Sequence, residues 1–256
     1  MTLASACSTG LDAVQWAAAE VIEDRASVVF AGSTEAPIAP LCFASFCASG
    51  SLSQFDAPAT RASRPYDLHR NGWVLSEGGA VYVVEELEHA VARKATIYAE
   101  ILAFGAGNEG GYGHRVEAGE LALTEAIQTA LRRGSVRRED IDYINSHGNA
   151  LPDYDLVETI AFKRALGSLV YNIPISSIKS MIGHALGAAS AFQVVAACLA
   201  LRDQMIPPTI NLDTPDPQCD LDYVPSRARH TRLRTLLINA HAMGGTHSVL
   251  ILAQPR

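Results

Sequence analysis

Apolar positions along this chain switch between a helical period and runs short enough to be strands. Leu11, Val14, Ala18 and Val21/Ile22 recur at helical spacing and predict a helix over residues 7–24. Val28-Val29-Phe30-Ala31, inside Ser27 to Ser33, predicts a short buried strand. Residues 37–72 hold no period and many turn formers, so irregular chain with short helices is expected there. A strand over residues 79–85, a charged helix near 86–94 and a strand over 97–105 come next. The stripe Leu123, Ala126, Ile127, Ala130, Leu131 marks a helix over 120–133, closed by Arg132, Arg133 and Gly134. A strand over 141–145 runs into Ser146-His147-Gly148, and Pro152 opens a helix to about Leu166 with Asp153 and Asp155 in its first turn. A strand over 173–178, an apolar helix over 185–202 and strands near 221–225, 235–240 and 246–253 complete the pattern. Strands alternating with helices give an α/β class.

Composition narrows this little. The 256 residues are 48% hydrophobic and 18% charged, an ordinary globular balance for one large core or two modest domains. A net charge of −7 argues against a dedicated nucleic-acid binder. Five cysteines, Cys7, Cys42, Cys47, Cys198 and Cys219, have no metal-ligand spacing and cannot all pair, which suits a reduced, cytoplasmic chain. Residues 1–7 lack the charged and apolar regions of a signal peptide. The longest apolar stretch, Ala185 to Leu201, is short for a membrane span and is interrupted by Gly187, Ser190 and Gln193, so a buried core helix is expected instead.

Three residues hold candidate chemistry. Cys7 stands where a strand-like lead meets a helix, and a thiol beside unsatisfied helix N–H groups is expected to favour thiolate. His147 ends a strand before Gly148, and His184 follows Gly183 between a strand and a helix, five residues after Lys179. A lone buried Cys or His is ordinarily structural. One Cys and two His, all at strand–loop–helix junctions, match the way α/β folds gather active sites at strand ends.

These residues also lie in recognisable motifs. Ser5-Ala6-Cys7-Ser8-Thr9-Gly10 resembles the nucleophile motif of β-ketoacyl–carrier-protein synthases. Asn145-Ser146-His147-Gly148, with Asp155 and Glu158 downstream, is similar to their first histidine motif, and Ser177 to Ala189, containing Lys179 and Gly183-His184, to their second. Arg64-Pro65-Tyr66-Asp67, Arg70-Asn71-Gly72-Trp73-Val74 and Glu77-Gly78 look like their mid-chain signature, and Gly244-Gly245-Thr246 like their C-terminal glycine turn. Intervals of 140 residues from Cys7 to His147, 32 from His147 to Lys179 and 5 from Lys179 to His184 fit the elongating Cys-His-His type.

The resemblance implies a thiolase-like layered αβαβα fold. It also implies a decarboxylative condensation of an acyl thioester with malonyl-carrier protein, in fatty-acid or polyketide synthesis. Cys7 would take the acyl chain, His147 and His184 stabilise the enolate, and the backbone N–H groups of Cys7 and Met243 hold the oxyanion. Lys179, pairing with Glu158 and supported by Asp155, would orient the site. Asn149, Leu151, Gly244 and Gly245 would line the substrate path. No metal or redox cofactor is implied, since substrates ride on the phosphopantetheine of an acyl carrier protein, and a homodimer, or a heterodimer with a related ketosynthase or with a missing N-terminal half, is expected. Two departures bear on substrate choice. Asn149 and Leu151 stand where the family usually has threonines, and the run Asn239-Ala240-His241-Ala242-Met243 stands where it commonly has aromatic gates. The family's nucleophile also lies deep in the first of two half-domains, whereas here it is residue 7. Residues 1–95 are therefore expected to be the remainder of a truncated first half-domain, residues 96–256 a complete second one, and the piece alone poorly soluble. A non-catalytic chain-length-factor-like subunit and an inactive gene fragment remain alternative readings.

Overall fold

The computed structural model describes residues 1–56, 58–110 and 116–255. Its elements are α1 (Thr9–Ile22), β1 (Val28–Glu35), α2 (Pro40–Ala48), β2 (Gly78–Glu85), α3 (Leu87–Ala92), β3 (Glu100–Asn108), α4 (Val116–Arg133) and β4 (Tyr143–Asn145). They continue with α5 (Pro152–Leu166), β5 (Ile175–Ser176), α6 (Lys179–Ile182), α7 (Ala189–Asp203), β6 (Met205–Ile206), β7 (Arg229–His230), β8 (Thr235–Ala242) and β9 (Thr246–Ala253). A five-stranded sheet in the order β3-β9-β8-β4-β5 is antiparallel from β3 to β8 and parallel from β8 to β5.

Both faces of this sheet are covered, which explains why β8 and β9 read as nearly continuous apolar runs. Leu237, Val249 and Ile251 point to one face and pack with Leu123, Ile127, Phe162 and Leu166 of α4 and α5. Leu236, Ile238, Leu250 and Leu252 alternate to the other face, against Leu11 and Val14 of α1 and Val194 and Leu201 of α7. Beyond α1 lies the antiparallel pair β1–β2, joined to it through Ala17, Ala31 and Val84. The described residues thus stack in four layers, helix, sheet, helix, sheet. Helix α7 meets the length and composition of a membrane span over Leu186–Asp203, yet it packs as the inner helix layer with Ala191, Gln193, Val194 and Ala197 buried. Close approach decides its neighbour: a Cβ on Gly10 would lie 2.2 Å from the Ala191 nitrogen, so only glycine lets α1 cross α7 here.

The expected helices of residues 7–24, 120–133, 152–166 and 185–202 are all present, although the first and last begin as 3-10 turns, Ala6–Ser8 and Leu186–Ala188. Four strand expectations need correction, the first being β1, which forms as expected but is not buried, since Val28 and Phe30 face outward. Residues 173–178 shrink to Ile175–Ser176, because Ile178 to Ile182 curl into α6. Residues 221–225 form no strand: Val224 takes a positive φ of 45° and Pro225 has no N–H to donate, so isolated bonds reach this segment in place of a ladder, among them Ile175 N–H to Asp222 O and Thr209 N–H to Val224 O. The strand expected at 97–105 lies further along, at Glu100–Asn108.

Candidate active site

Cys7 is 6% exposed, in the 3-10 turn that leads into α1. Ala6 before it is forced to φ 50°, which turns the chain sharply so that the thiol faces inward. The helix N-terminus beside it is already occupied: Ser190 Oγ of α7 accepts the N–H groups of Gly10 at 2.9 Å and Leu11 at 3.3 Å. Burial pushes the Cys7 thiol up to about 11, against the opposing pull of the Lys179 cation and of the backbone N–H groups of Met243 and Cys7 itself. The expected thiolate is therefore a resting thiol, because desolvation outweighs the helix end. Met243 N–H is thus one of the groups that favour charge on the sulfur, and the resemblance puts an oxyanion donor at this position.

His147 follows β4, and its backbone is clamped from both sides. Glu158 of α5, fully buried, accepts His147 N–H at 2.8 Å and Gly148 N–H at 2.7 Å, and also Tyr66 O–H at 2.9 Å and Asn239 Nδ2 at 2.6 Å. Lys179 Nζ donates to His147 O at 2.6 Å and to Gln193 Oε1 at 3.4 Å. The expected Lys179–Glu158 pair is thus not a direct contact, and the two charges act on each other through space. Burial brings Lys179 down to about 8, with Glu158 opposing, while burial raises the Glu158 carboxyl.

His184 follows Gly183, whose φ of 74° turns α6 toward the site. Its N–H donates to Val74 O at 2.7 Å and its O accepts Ser76 N–H at 3.1 Å, which ties it to the strap that connects α2 and β2. The His147 and His184 rings meet edge to face at 5.3 Å. Burial first, and the Lys179 cation second, hold both imidazoles well below the usual histidine range, so both are neutral. A neutral imidazole keeps one N–H to donate.

Asp155 accepts Tyr66 N–H at 2.8 Å and Ala150 N–H at 3.2 Å and lies 3.2 Å from Arg70 Nε; burial nevertheless raises it to about 7. Asn149 is buried and its Oδ1 accepts Leu151 N–H at 3.0 Å, which folds it back on its own loop. Gly244 and Gly245, at φ 95° and 79°, make the β8–β9 turn beyond Met243. Sequence reasoning missed several neighbours. Tyr154, Trp73, His241 and His247 continue the ring cluster, and Gln193 Nε2 donates to Ser146 O at 2.9 Å and Asn239 O at 3.1 Å. The available signal was His241 and His247 flanking the glycine turn, where they become cross-strand partners.

Residues 1–90 match the family model of the β-ketoacyl synthase N-terminal domain and residues 98–213 that of its C-terminal domain. The chain is 42% identical over 254 residues to the 3-oxoacyl-[acyl-carrier-protein] synthase 2 of Coxiella burnetii, covering 99% of this chain and 60% of that protein. Identity is also 42% over 254 residues to the tetracenomycin polyketide synthase ketoacyl synthase alpha subunit of Streptomyces glaucescens, with the same coverage. The chain therefore spans about 60% of the length of these curated relatives. Among solved structures, it superposes with a TM-score of 0.97 at 36% identity on a type II polyketide synthase acyl-carrier protein complexed with its ketosynthase, covering all of this chain and 63% of that one. The ishigamide ketosynthase/chain length factor gives a TM-score of 0.91 at 32% identity, covering all of this chain and 61% of that one. The layered fold is the thiolase-like one of these ketosynthases, and the chain belongs to the β-ketoacyl synthase family.

Proposed function

We propose that the chain carries the condensing centre of a 3-oxoacyl–carrier-protein synthase of fatty-acid or polyketide synthesis. The observation that carries this is a buried thiol, acted on by the Lys179 cation and Met243 N–H, together with two buried, edge-packed imidazoles. In the first half-reaction the Cys7 sulfur attacks an acyl thioester, and its proton leaves with the carrier's phosphopantetheine thiol. Malonyl-carrier protein then loses CO2. His147 and His184 N–H groups are suited to hold the enolate oxygen, since neutral donors aimed at developing charge need no reorganisation. The carbanion attacks the acyl group, the oxyanion rests on Cys7 and Met243 N–H, and collapse expels the Cys7 thiolate. That thiolate then takes up one proton, which its preference for the thiol form favours. Lys179, Glu158 and Asp155 position the loop of His147 and transfer no proton. Asn149, Leu151, Gly244 and Gly245 are proposed to line the pantetheine path.

An acyl carrier protein is the proposed partner, with a homodimer or a ketosynthase heterodimer as the assembly, and no resident cofactor is invoked. The half-domain boundary is put near residue 95, between the two family matches. All five cysteines are free, which supports a reduced, cytoplasmic setting. A chain-length-factor-like role is disfavoured by Cys7, the nucleophile such subunits generally lack. The test is paired. His147→Ala and His184→Ala should each cut malonyl-carrier decarboxylation by about 10²–10³-fold, as for a lost oxyanion-hole donor. Acylation of Cys7, followed by mass spectrometry, should fall far less. Unchanged decarboxylation in both variants defeats the proposal.

A further inference from the structure

The rings of the site form a column that continues past the two histidines of the motifs. Trp73 packs edge-on against His184 at 5.1 Å, and His184 packs edge-on against His147 at 5.3 Å. His241 stacks parallel and offset on His147, with ring centroids 5.2 Å apart and planes 7° from parallel, and His247 meets His241 at 4.6 Å.

His147 is fully buried, and neither of its ring nitrogens has a hydrogen-bond partner among the described residues. Its backbone is fixed by Glu158 and Lys179, but these bonds leave rotation of the ring about its own axis free. Buried imidazoles are ordinarily oriented by a hydrogen bond at one nitrogen. Here packing has to set the plane instead. The His184 ring meets His147 edge to face and Tyr154 is tilted at 6.4 Å and 32°, so the parallel ring of His241 is the neighbour whose plane follows that of His147. His241 is itself held as the cross-strand partner of His247 in the β8–β9 hairpin, and His247 Nε2 lies 2.9 Å from Glu109 Oε1.

We propose that His241 is a positioning residue of the condensing site, a flat plate that fixes the plane of the His147 ring and so leaves both its nitrogens available to substrate. This rests on the functional reading above. It assigns the ring face of His241, and not its nitrogens, to the task.

Two variants of similar bulk separate the possibilities. Phenylalanine keeps a flat face without ring nitrogens, and leucine keeps volume without a face. The His241→Phe variant should decarboxylate malonyl-carrier protein within about threefold of the wild type, whereas His241→Leu should lose at least about tenfold, the scale set by small misplacements of a catalytic group. Cys7 alkylation should stay within about twofold in both, a split that general loosening of the fold would not produce. Crystal structures of the three proteins then read the ring without any turnover. The His147 plane should hold within about 20° in His241→Phe and turn away or split between orientations in His241→Leu. A leucine variant with the His147 plane unchanged overturns the proposal, and so does a phenylalanine variant as impaired as the leucine one. A wild type that alkylates at Cys7 but never decarboxylates defeats the functional reading, and the ring planes still decide the role of His241.

Discussion

Replacement of Glu158 by glutamine is the sharpest probe of the clamp around His147. The side chain is isosteric, so no cavity forms, and what changes is the hydrogen-bond arithmetic and the charge. Glu158 Oε1 accepts from His147 N–H and Asn239 Nδ2; Oε2 accepts from Gly148 N–H and Tyr66 O–H. An amide offers one oxygen and one NH2 in their place. If the NH2 takes the Oε2 position, Tyr66 can turn its hydroxyl proton to Ser146 Oγ, 2.7 Å away, and accept from the new amide, but Gly148 N–H loses its acceptor. If it takes the Oε1 position, Asn239 can flip to present Oδ1, and His147 N–H is the group left unpaired. Either orientation orphans one fully buried backbone donor, at a cost of about 1–3 kcal/mol. The Lys179 cation also loses the charge that most opposes its desolvation. Urea denaturation followed by circular dichroism should therefore show Glu158→Gln destabilised by about 1–3 kcal/mol. Decarboxylation should fall with it, because the orphaned donor belongs to the His147 loop. A variant within about 0.5 kcal/mol of the wild type, the range of an unremarkable surface change, refutes the reasoning.

Two further outcomes follow from other contacts. With burial holding its thiol up to about 11, Cys7 rests as the thiol at pH 7. Iodoacetamide labelling of Cys7 should thus be slow at pH 7 and climb as pH approaches 11, and Lys179→Met, which removes the lowering cation, should slow it at pH 7 by at least about threefold; equal or faster labelling contradicts this. Gly10→Ala should destabilise by about 1–3 kcal/mol, since its Cβ meets the α7 backbone at 2.2 Å, and an unchanged Tm would show that the helices can part freely.

Much of the site was legible because its parts sit where periodicity breaks. Pro152 with Asp153 and Asp155 marked the start of α5, and Gly148 and Gly183 marked the turns that carry His147 and His184. Burial was not legible. The helix start beside Cys7 suggested thiolate, and only the three-dimensional packing reveals that Ser190 takes those N–H groups while desolvation governs the sulfur. The same holds for Lys179, whose Nζ finds a carbonyl and an amide where the family resemblance implied an ion pair with Glu158. The segment 221–225 failed for a local reason, since a positive φ at Val224 cannot be read from an apolar run.

The strap before β2 has a consequence for recombination. Arg70 pairs with Asp155 at 3.2 Å and Asp216 at 2.6 Å, Arg64 reaches Asp213 at 3.3 Å, Tyr66 supports Glu158, and Val74 and Ser76 hold the backbone of His184. Apart from the Arg70–Asp216 pair, whose aspartate lies just past residue 213, each of these contacts joins the part matched as N-terminal domain to the part matched as C-terminal domain. A chimera crossed over near residue 95 inherits one side of each pair from each parent. A buried arginine facing the wrong partner costs several kcal/mol, so such a crossover succeeds only between parents that agree at all of these positions. Crossovers that move residues 61–76 together with 147–216 keep the pairs intact, and shuffled libraries of this family should retain activity in proportion to how well they respect that coupling.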